Sequence, residues 1–449
     1  MNIVLLSGGS GKRLWPLSND IRSKQFIKLF KRPEGAEEMG ETFTGEYESM
    51  VQRVYRQIKK TDPEAKITIA TSKSQVSIIR NQLGTEVGIS VEPCRRDTFP
   101  AIALATAYLH YVQGVSLDEA MVVCPVDPYV DDGFFEALKK LNQLASEGTA
   151  NLVLLGIDPT YPSAKYGYIM PESGDTIAKV RAFKEKPDEP TAAEYIKEGG
   201  LWNGGVFAYK LRYVLERAHE LIDFIDYTDL YSKYDTLTKV SFDYAVVEHE
   251  PDIAVMRFTG PWKDLGTWNT LTEAMEDSTV GDARLDETCS NVHVVNELGV
   301  PILVMGGKDM VVSASPDGIL VSDKIRSAAM KPYVEDIAQQ VMFAEKTWGI
   351  YRVLDIEEGS MTVKVTLNPG HRMNYHSHEH RDEVWTVLGG SGYAIVDGME
   401  QPLKPGDVIT MAAGCRHTVI AGETGLHLIE VQIGSDISAG DKHKFEMPE

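Results

Sequence analysis

Short apolar runs alternate with amphipathic stretches through the first part of the chain. Residues 2–6 (NIVLL) form an almost continuous apolar run and read as a buried strand. A glycine-rich turn follows it, Ser7-Gly8-Gly9-Ser10-Gly11. Helical periodicity recurs over 49–60, 74–83, 98–112 and 134–146, and strand-like runs lie between at 66–71, 89–92, 121–124 and 151–157. This alternation predicts α/β architecture with parallel βαβ units and right-handed crossovers. Ligands of such folds bind where loops leave the carboxyl ends of strands. The loop after residue 6 and the loop after Cys124 are therefore the places to look for chemistry.

The pattern changes near residue 281. Short β-rich runs (VHVV, PILVMGG, DMVVSA, GILVSD) fill 290–330 with turns every eight or so residues, and no helix-length period is visible. After Ala344 the chain is β-patterned again to about 433, with turns at Pro369-Gly370, Gly389-Gly390, Asp397-Gly398 and Pro405-Gly406. Evenly spaced short strands of this kind predict a small barrel or sandwich. The expected domains are 1–280, a β-rich connector at 281–340 and a third domain at 341–449. The acidic stretch Glu34–Glu48 reads as an exposed loop.

Composition narrows the class. The chain has 449 residues, 43% hydrophobic and 25% charged, which fits two or three ordinary domains and excludes disordered, collagen-like and coiled-coil classes. No apolar run reaches the roughly 18 residues of a membrane span, and the apolar start runs straight into the glycine turn, unlike a signal peptide. Cys94, Cys124, Cys289 and Cys415 are far apart with no CxxC spacing, so a reduced, cytoplasmic setting is expected. The net charge of −21 argues against a nucleic-acid partner, since that binding is driven by neutralising phosphates. It leaves room for a small anion in a local basic pocket. Lys12, Arg13, Arg22, Lys24, Lys28, Lys31 and Arg32 form such a cluster, opposed only by Asp20. Elsewhere a run like this would read as a solvated face. Here it follows a strand and a glycine turn.

SGGSGKRLWP matches neither the dinucleotide fingerprint nor the P-loop. Its glycines still let backbone N–H groups approach phosphate oxygens, and Lys12 and Arg13 add charge. Gly8-Gly9-Ser10-Gly11-Lys12-Arg13-Leu14-Trp15-Pro16-Leu17-Ser18, followed by Lys24-Gln25-Phe26, resembles the signature of nucleotidyltransferases acting on sugar 1-phosphates. The match is to the mannose-1-phosphate guanylyltransferase family, especially its long bifunctional bacterial members with a second, isomerase domain. It continues in order through Glu92–Thr98, Pro125-Val126-Asp127, Gly156–Thr160, Tyr166–Ile169, Phe183-Lys184-Glu185-Lys186-Pro187, Trp202–Gly205, Phe242–Ala245 and Trp262–Trp268. The resemblance implies a Rossmann-like (GT-A-like) nucleotidyltransferase domain, a short β-helix-like connector that could serve as a homo-oligomer contact, and a C-terminal all-β cupin barrel.

The implied reaction joins GTP and mannose 1-phosphate by in-line attack at the α-phosphorus, which demands positioning and charge neutralisation. The resemblance makes Asp127 and Asp264 Mg²⁺ ligands; from the residues alone, Asp127 could equally be a turn residue and Asp264 a helix cap. It brings Gly8, Gly9, Gly11, Lys12, Arg13, Arg96 and Asp97 to the nucleotide, and puts Arg13 and Lys24 on the triphosphate. It assigns Lys186 to the sugar phosphate, and Gly167, Glu185 and Asn203 to the sugar hydroxyls. Pro128 stands where the family has His after the aspartate, and EPCRRDTFPA replaces EPxGRNTAPA; Asp97 is a natural partner for guanine N1–H and N2–H. Another base or sugar 1-phosphate is the alternative substrate.

Near the C-terminus, Gly370, His376-Ser377-His378, Glu383 and Gly390, then Pro405-Gly406-Asp407 and Ala413–His417, resemble the two cupin motifs. Two His at i, i+2 on a strand point to one face. With Glu383 and His417 they form a donor set for a divalent transition metal such as Zn²⁺, with Fe, Mn, Co and Ni equally compatible. His371 and His380 read as solvated. The family's barrel interconverts mannose 6-phosphate and fructose 6-phosphate, and Arg381 is the residue expected to serve its proton-transfer electrostatics. The family has Gln where this chain has His376, and His where it has Val384. A non-catalytic, sugar-binding or structural barrel is the alternative.

Overall fold

The structure, a computed structural model, describes every residue except 9–10, 20, 35–44, 336, 338–341 and 449. Gly9, Ser10 and most of the acidic stretch thus lie outside the described residues. Glu48, at the end of that stretch, departs from the expectation of an exposed loop. It is buried in the strand Tyr47–Ser49, where its carboxylate takes a two-pronged ion pair from Arg56. The chain divides into two compact units, Met1–Arg13 with Ser23–Glu276, and Leu14–Arg22 with Asp277–Glu449. No helix among the described residues is long and apolar enough to cross a membrane.

In the first unit, Gly88–Glu92, Lys66–Ser72, Asn2–Leu6 and Ala120–Pro125 lie side by side and parallel. Leu201–Lys210, Leu152–Ile157, Ile253–Phe258, Ile177–Lys184 and Tyr168–Pro171 extend the sheet to nine strands. Ile3, Val4 and Leu5 are wholly buried, as a strand covered on both faces requires. The helix Thr98–Ala107 is apolar all round and correspondingly buried over most of its surface. Ser49 and Gln52 form a reciprocal capping box at the start of Met50–Thr61.

The sheet is mixed: Gly88–Glu92, Lys66–Ser72, Asn2–Leu6 and Ala120–Pro125 pair in parallel as expected, and the reversal comes beyond them. Leu201–Lys210 runs antiparallel to both Ala120–Pro125 and Leu152–Ile157. After Leu152–Ile157 the chain makes the antiparallel pair Tyr168–Pro171 and Ile177–Lys184 rather than a direct helical crossover. It therefore re-enters the middle of the sheet reversed. Leu6 is paired with both Ala70 and Pro125, so the glycine turn and the loop bearing Asp127 leave the same carboxyl edge.

In the second unit, Thr279–Val280, His293–Asn296 and Met310–Ser315 stack in parallel on one face, and Ala283–Leu285 stacks on Ile302–Val304 on another. These are the coils of a short β-helix, closed by the antiparallel strand Gly318–Asp323 around a core of Val292, Val294 and Val312. The barrel follows. Its two longest strands, Arg381–Val396 and His417–Gly434, pair with one another, and Ser360–Leu367 flanks the second. Trp385, Val363, Val365, Leu426 and Leu428 fill its core.

Candidate functional site

The first site forms at the carboxyl edge of the mixed sheet. Asp127 immediately precedes the short strand Pro128–Val130, which pairs antiparallel with Trp262–Asp264 in a register that sets Asp264 opposite Pro128. This two-strand clip, begun by the proline that stands in place of the family histidine, brings two carboxylates distant in sequence together. Lys24 Nζ completes the cluster, 3.0 Å from Asp127 and 3.6 Å from Asp264, and donates to the Leu265 carbonyl. Burial lowers the Lys24 ammonium pKa, but the two carboxylates outweigh it and the net direction is up. Gln25 is buried behind this cation and donates to the hydroxyl and carbonyl of Ser7 at the head of the glycine turn. Arg13 reaches the same place: a Cβ on Gly266 would stand 3.3 Å from Asp264 and 3.6 Å from an Arg13 guanidinium nitrogen. The helix after Asp264 is capped by Thr267, so Asp264 is no helix cap.

A cavity of about 220 Å³ opens beside the carboxylates, lined by Asp127, Asp264, Tyr166, Gly167, Glu185, Asn203, Asp243 and Trp262. Tyr166 and Trp262 form one wall, their rings 5.6 Å apart, with the buried Trp202 ring packed 4.8 Å from Tyr166. Glu185 Oε2 is buried and makes no hydrogen bond, while Oε1 holds Lys186 Nζ at 2.5 Å. Oε2 is an acceptor beside Gly167, where a Cβ would meet it at 2.4 Å and the Phe183 ring at 3.0 Å, so a larger residue there must displace Glu185. Asn203 donates to Asp243 at 2.7 Å, accepts from Gly205 N–H at its side-chain oxygen, and donates its backbone N–H to the Gly167 carbonyl. Sequence reasoning missed Asp243. Burial and the Glu185 charge push its carboxyl up to about 6, against the hydrogen bond from Asn203. The signal available was its place in the matched segment Phe242–Ala245.

The remaining nucleotide candidates lie along the same sheet. Gly8 is exposed, and Lys12 and Arg13 sit in the tight turn Gly11–Leu14. Arg96 and Asp97 follow the strand Gly88–Glu92, whose last residue pairs with Ser72. Asp97 has φ of +70° and accepts from Thr98 N–H at 2.8 Å, capping the helix Thr98–Ala107.

The second site is inside the barrel. His376 and His417 face each other across paired strands, and Glu383 and His378 converge on them. One donor atom from each of the four lies within 4.8 Å of the others, and all four side chains are buried. The Nδ1 atoms of His376, His378 and His417 lie 2.6, 2.7 and 3.1 Å from the carbonyls of Asn374, Asp441 and Cys415. A carbonyl only accepts, so each Nδ1 carries the proton and each Nε2 presents a lone pair. Those lone pairs face a carboxylate: Glu383 oxygens lie 3.0 Å from His378 Nε2 and 3.2 Å from His417 Nε2, and His417 Nε2 makes no hydrogen bond. Acceptors brought together in a dry space are what a divalent cation binds. Arg381 donates to Glu383, to His378 Nε2 and to the Ser438 carbonyl. Trp385 Nε1 also donates to Glu383.

His371 and His380 are outside this set. His371 Nδ1 turns to the Pro369 carbonyl and His380 Nδ1 to Asp441. Val384 lies between the buried Glu383 and Trp385, so strand alternation turns it to the other face. The residue that replaces the family histidine therefore touches none of the donors. Asp441 carries no motif signal; its carbonyl holds His378 and its carboxylate takes the N–H groups of Glu379 and His380.

Residues 2–280 match the family model described as nucleotidyl transferase, and residues 335–447 match that described as mannose-6-phosphate isomerase C-terminal. The chain is 29% identical to mannose-1-phosphate guanylyltransferase ManC of Salmonella typhimurium, over 99% of this chain and 97% of that protein. It is 30% identical to the xanthan biosynthesis protein XanB of Xanthomonas campestris pv. campestris strain B100, over the same shares. A solved structure from Thermus thermophilus, described as a mannose-1-phosphate geranyltransferase, superposes with a TM-score of 0.60 at 28% identity, covering 74% of this chain and 98% of that one.

Proposed function

The chain belongs to the nucleotidyl transferase family, and from that premise we propose that it forms GDP-mannose and pyrophosphate from GTP and mannose 1-phosphate. The observation that carries this reading is the convergence of Lys24 on Asp127 and Asp264 beside a cavity lined by Gly167, Glu185 and Asn203. Asp127 and Asp264 would hold a divalent cation, Mg²⁺ by the hardness of the two carboxylates, which neutralises triphosphate charge when bound. Arg13 and Lys24 bind the triphosphate oxygens and stabilise charge at the α-phosphate. Lys186 holds the phosphate of mannose 1-phosphate so that its oxygen attacks the α-phosphorus in line and the bond to pyrophosphate breaks. The free Glu185 Oε2, Asn203 and the Gly167 backbone fix the sugar hydroxyls, and a buried acceptor left unpaired by the wrong sugar gives discrimination. Gly8, Gly9, Gly11 and Lys12 cradle the phosphates, with Arg96 and Asp97 toward the base.

For the barrel, the reading is a divalent transition-metal site on His376, His378, Glu383 and His417 that serves interconversion of mannose 6-phosphate and fructose 6-phosphate. A metal held by these four residues would supply Lewis-acid polarisation of the sugar carbonyl. Arg381, held by Glu383 and the Ser438 carbonyl, orients the substrate anion. The products of the first site place the chain in polysaccharide precursor synthesis.

The test is a substrate panel. Pyrophosphate release should be greatest with GTP and mannose 1-phosphate, and equal or faster release with another triphosphate or sugar phosphate overturns the assignment. A coupled assay on mannose 6-phosphate with Zn²⁺, Mn²⁺, Co²⁺, Fe²⁺ or Ni²⁺ tests the barrel; no turnover with any of them leaves it a binding or structural module.

A further inference from the structure

Arg13 and Lys24 stand at either end of a segment that behaves differently from both. Both residues belong to the first unit, but Leu14–Arg22 belongs to the second. There the segment is held at four points. The Trp15 ring lies over Gly318 so closely that a Cβ would meet it at 2.4 Å. The Pro16 carbonyl accepts from Ser315 Oγ at 2.8 Å. Asn19 donates to Asp317 at 2.8 Å while its own carbonyl oxygen takes the N–H groups of Ile21 and Arg22. Arg22 makes a bidentate pair with Glu297, at 2.7 and 2.8 Å, beneath the Phe343 ring.

The pair is itself braced. Arg352 donates to the Glu297 carbonyl at 3.1 Å, and Asp317 accepts from Met342 N–H at 3.2 Å. The Arg22 side chain is 10% exposed. A buried guanidinium in a two-bond fork is strongly directional, and such pairs set register better than they add stability. Trp15 and Arg22 are each two residues from one of the two cations, so their placement constrains both through a few rigid peptide planes.

We propose that Arg22 and Glu297 are a positioning pair for nucleotidyl transfer. Neither touches substrate. Together they fix the span of chain that joins Arg13 to Lys24, and with it the separation of the two cations that receive the triphosphate. This rests on the reading of Arg13 and Lys24 as triphosphate ligands.

The experiment is steady-state kinetics on the full-length chain with Glu297→Gln, Arg22→Lys, Ser315→Ala and the exchanged pair Arg22→Glu with Glu297→Arg. The first two should raise KM for GTP about tenfold, since small misplacements of binding groups are costly, and leave KM for mannose 1-phosphate within about twofold. The exchanged pair should recover most of the loss. An unchanged KM for GTP in well-folded Glu297→Gln and Arg22→Lys overturns the proposal. So does a proportionate fall in all parameters that tracks the thermal midpoint. Should those variants not fold, Ser315→Ala removes the bond to the Pro16 carbonyl and the one accepted from Asp317 N–H, and must still raise KM for GTP about twofold. If the wild-type chain prefers another triphosphate, the substrate assignment fails, and the same comparison is read on KM for that triphosphate.

Discussion

The two sites of this chain gather charge in opposite ways. At the sheet edge, the Asp127 and Asp264 side chains are 41% and 37% exposed, and a lysine lies between them. In the barrel, His376, His378, Glu383 and His417 are 2–3% exposed, and every imidazole is locked by a backbone carbonyl. The open cluster remains over a third exposed, so a cation held there would be exchangeable and would arrive with the triphosphate whose charge it offsets. The dry cluster has its tautomers and orientations fixed by the fold, so its affinity for metal is built in before any substrate comes. On the proposed assignment, one metal site would depend on its ligand and the other on its scaffold.

This contrast is broken most severely by Asp127→Asn. Removing one of two carboxylates at the open site should cut pyrophosphate release by about a hundredfold or more. The metal content of the dialysed protein, measured by elemental analysis, should not change, because the proposed tightly held metal belongs to the barrel. Loss of both together would mean that the sites are not independent. Glu383→Gln is the reciprocal change. Loss of a direct ligand should weaken metal binding by at least about the 10–100-fold typical of supporting residues. Chelator competition measures it; retention of full stoichiometry against a strong chelator would remove Glu383 from the ligand set. Asp441→Asn should have a smaller effect, about tenfold on metal affinity, because His378 is held by the Asp441 carbonyl and only the loop around it by the carboxylate.

The two sites also differed in how far sequence could reach them. The barrel donors are close in sequence or end a recognisable motif, and alternation on a strand suffices to aim His376 and His378 together. At the open site, the residues carrying signature spacing, from the glycine turn to Lys24 and from Glu185 to Lys186, were legible through the family pattern. Asp243 lay in a matched segment but drew no role, because the cavity partners that define one, Asn203 and Glu185, are distant in sequence. Asp441 was hidden for the same reason: its function lies in one carbonyl and two backbone N–H groups, which leave no residue-type signal. Hydrophobic periodicity places strands but carries no direction, so the reversed Leu201–Lys210 could not be anticipated. Composition described Glu48 as one more acidic residue, whereas Arg56 eight positions later buries it. The partition of Leu14–Arg22 away from its neighbours depends on Glu297, Ser315 and Asp317, which sit in a stretch without any motif.

The smallest expected effect separates electrostatics from shape within the open site. Asp243 is desolvated beside Glu185, and its carboxyl is raised from the ordinary 3.8 to about 6. The folded chain therefore holds this proton more tightly than the unfolded chain does. Between about pH 4 and pH 6 the unfolded state loses the proton first, so stability falls as pH rises through this window, and above it the ionised carboxylate remains a cost. The full shift corresponds to about 3 kcal/mol, an upper figure because neighbouring groups relax. Asn at this position keeps an oxygen to accept from Asn203 and never ionises. Asp243→Asn should therefore raise the thermal midpoint relative to wild type at pH 8, by the few degrees that about 1 kcal/mol gives in a unit of this size, and change it little at pH 4.5. A difference of the same size at both pH values would assign the effect to packing. A stabilised variant with weaker binding of mannose 1-phosphate would show that the charge is retained for the sugar, at the expense of the fold.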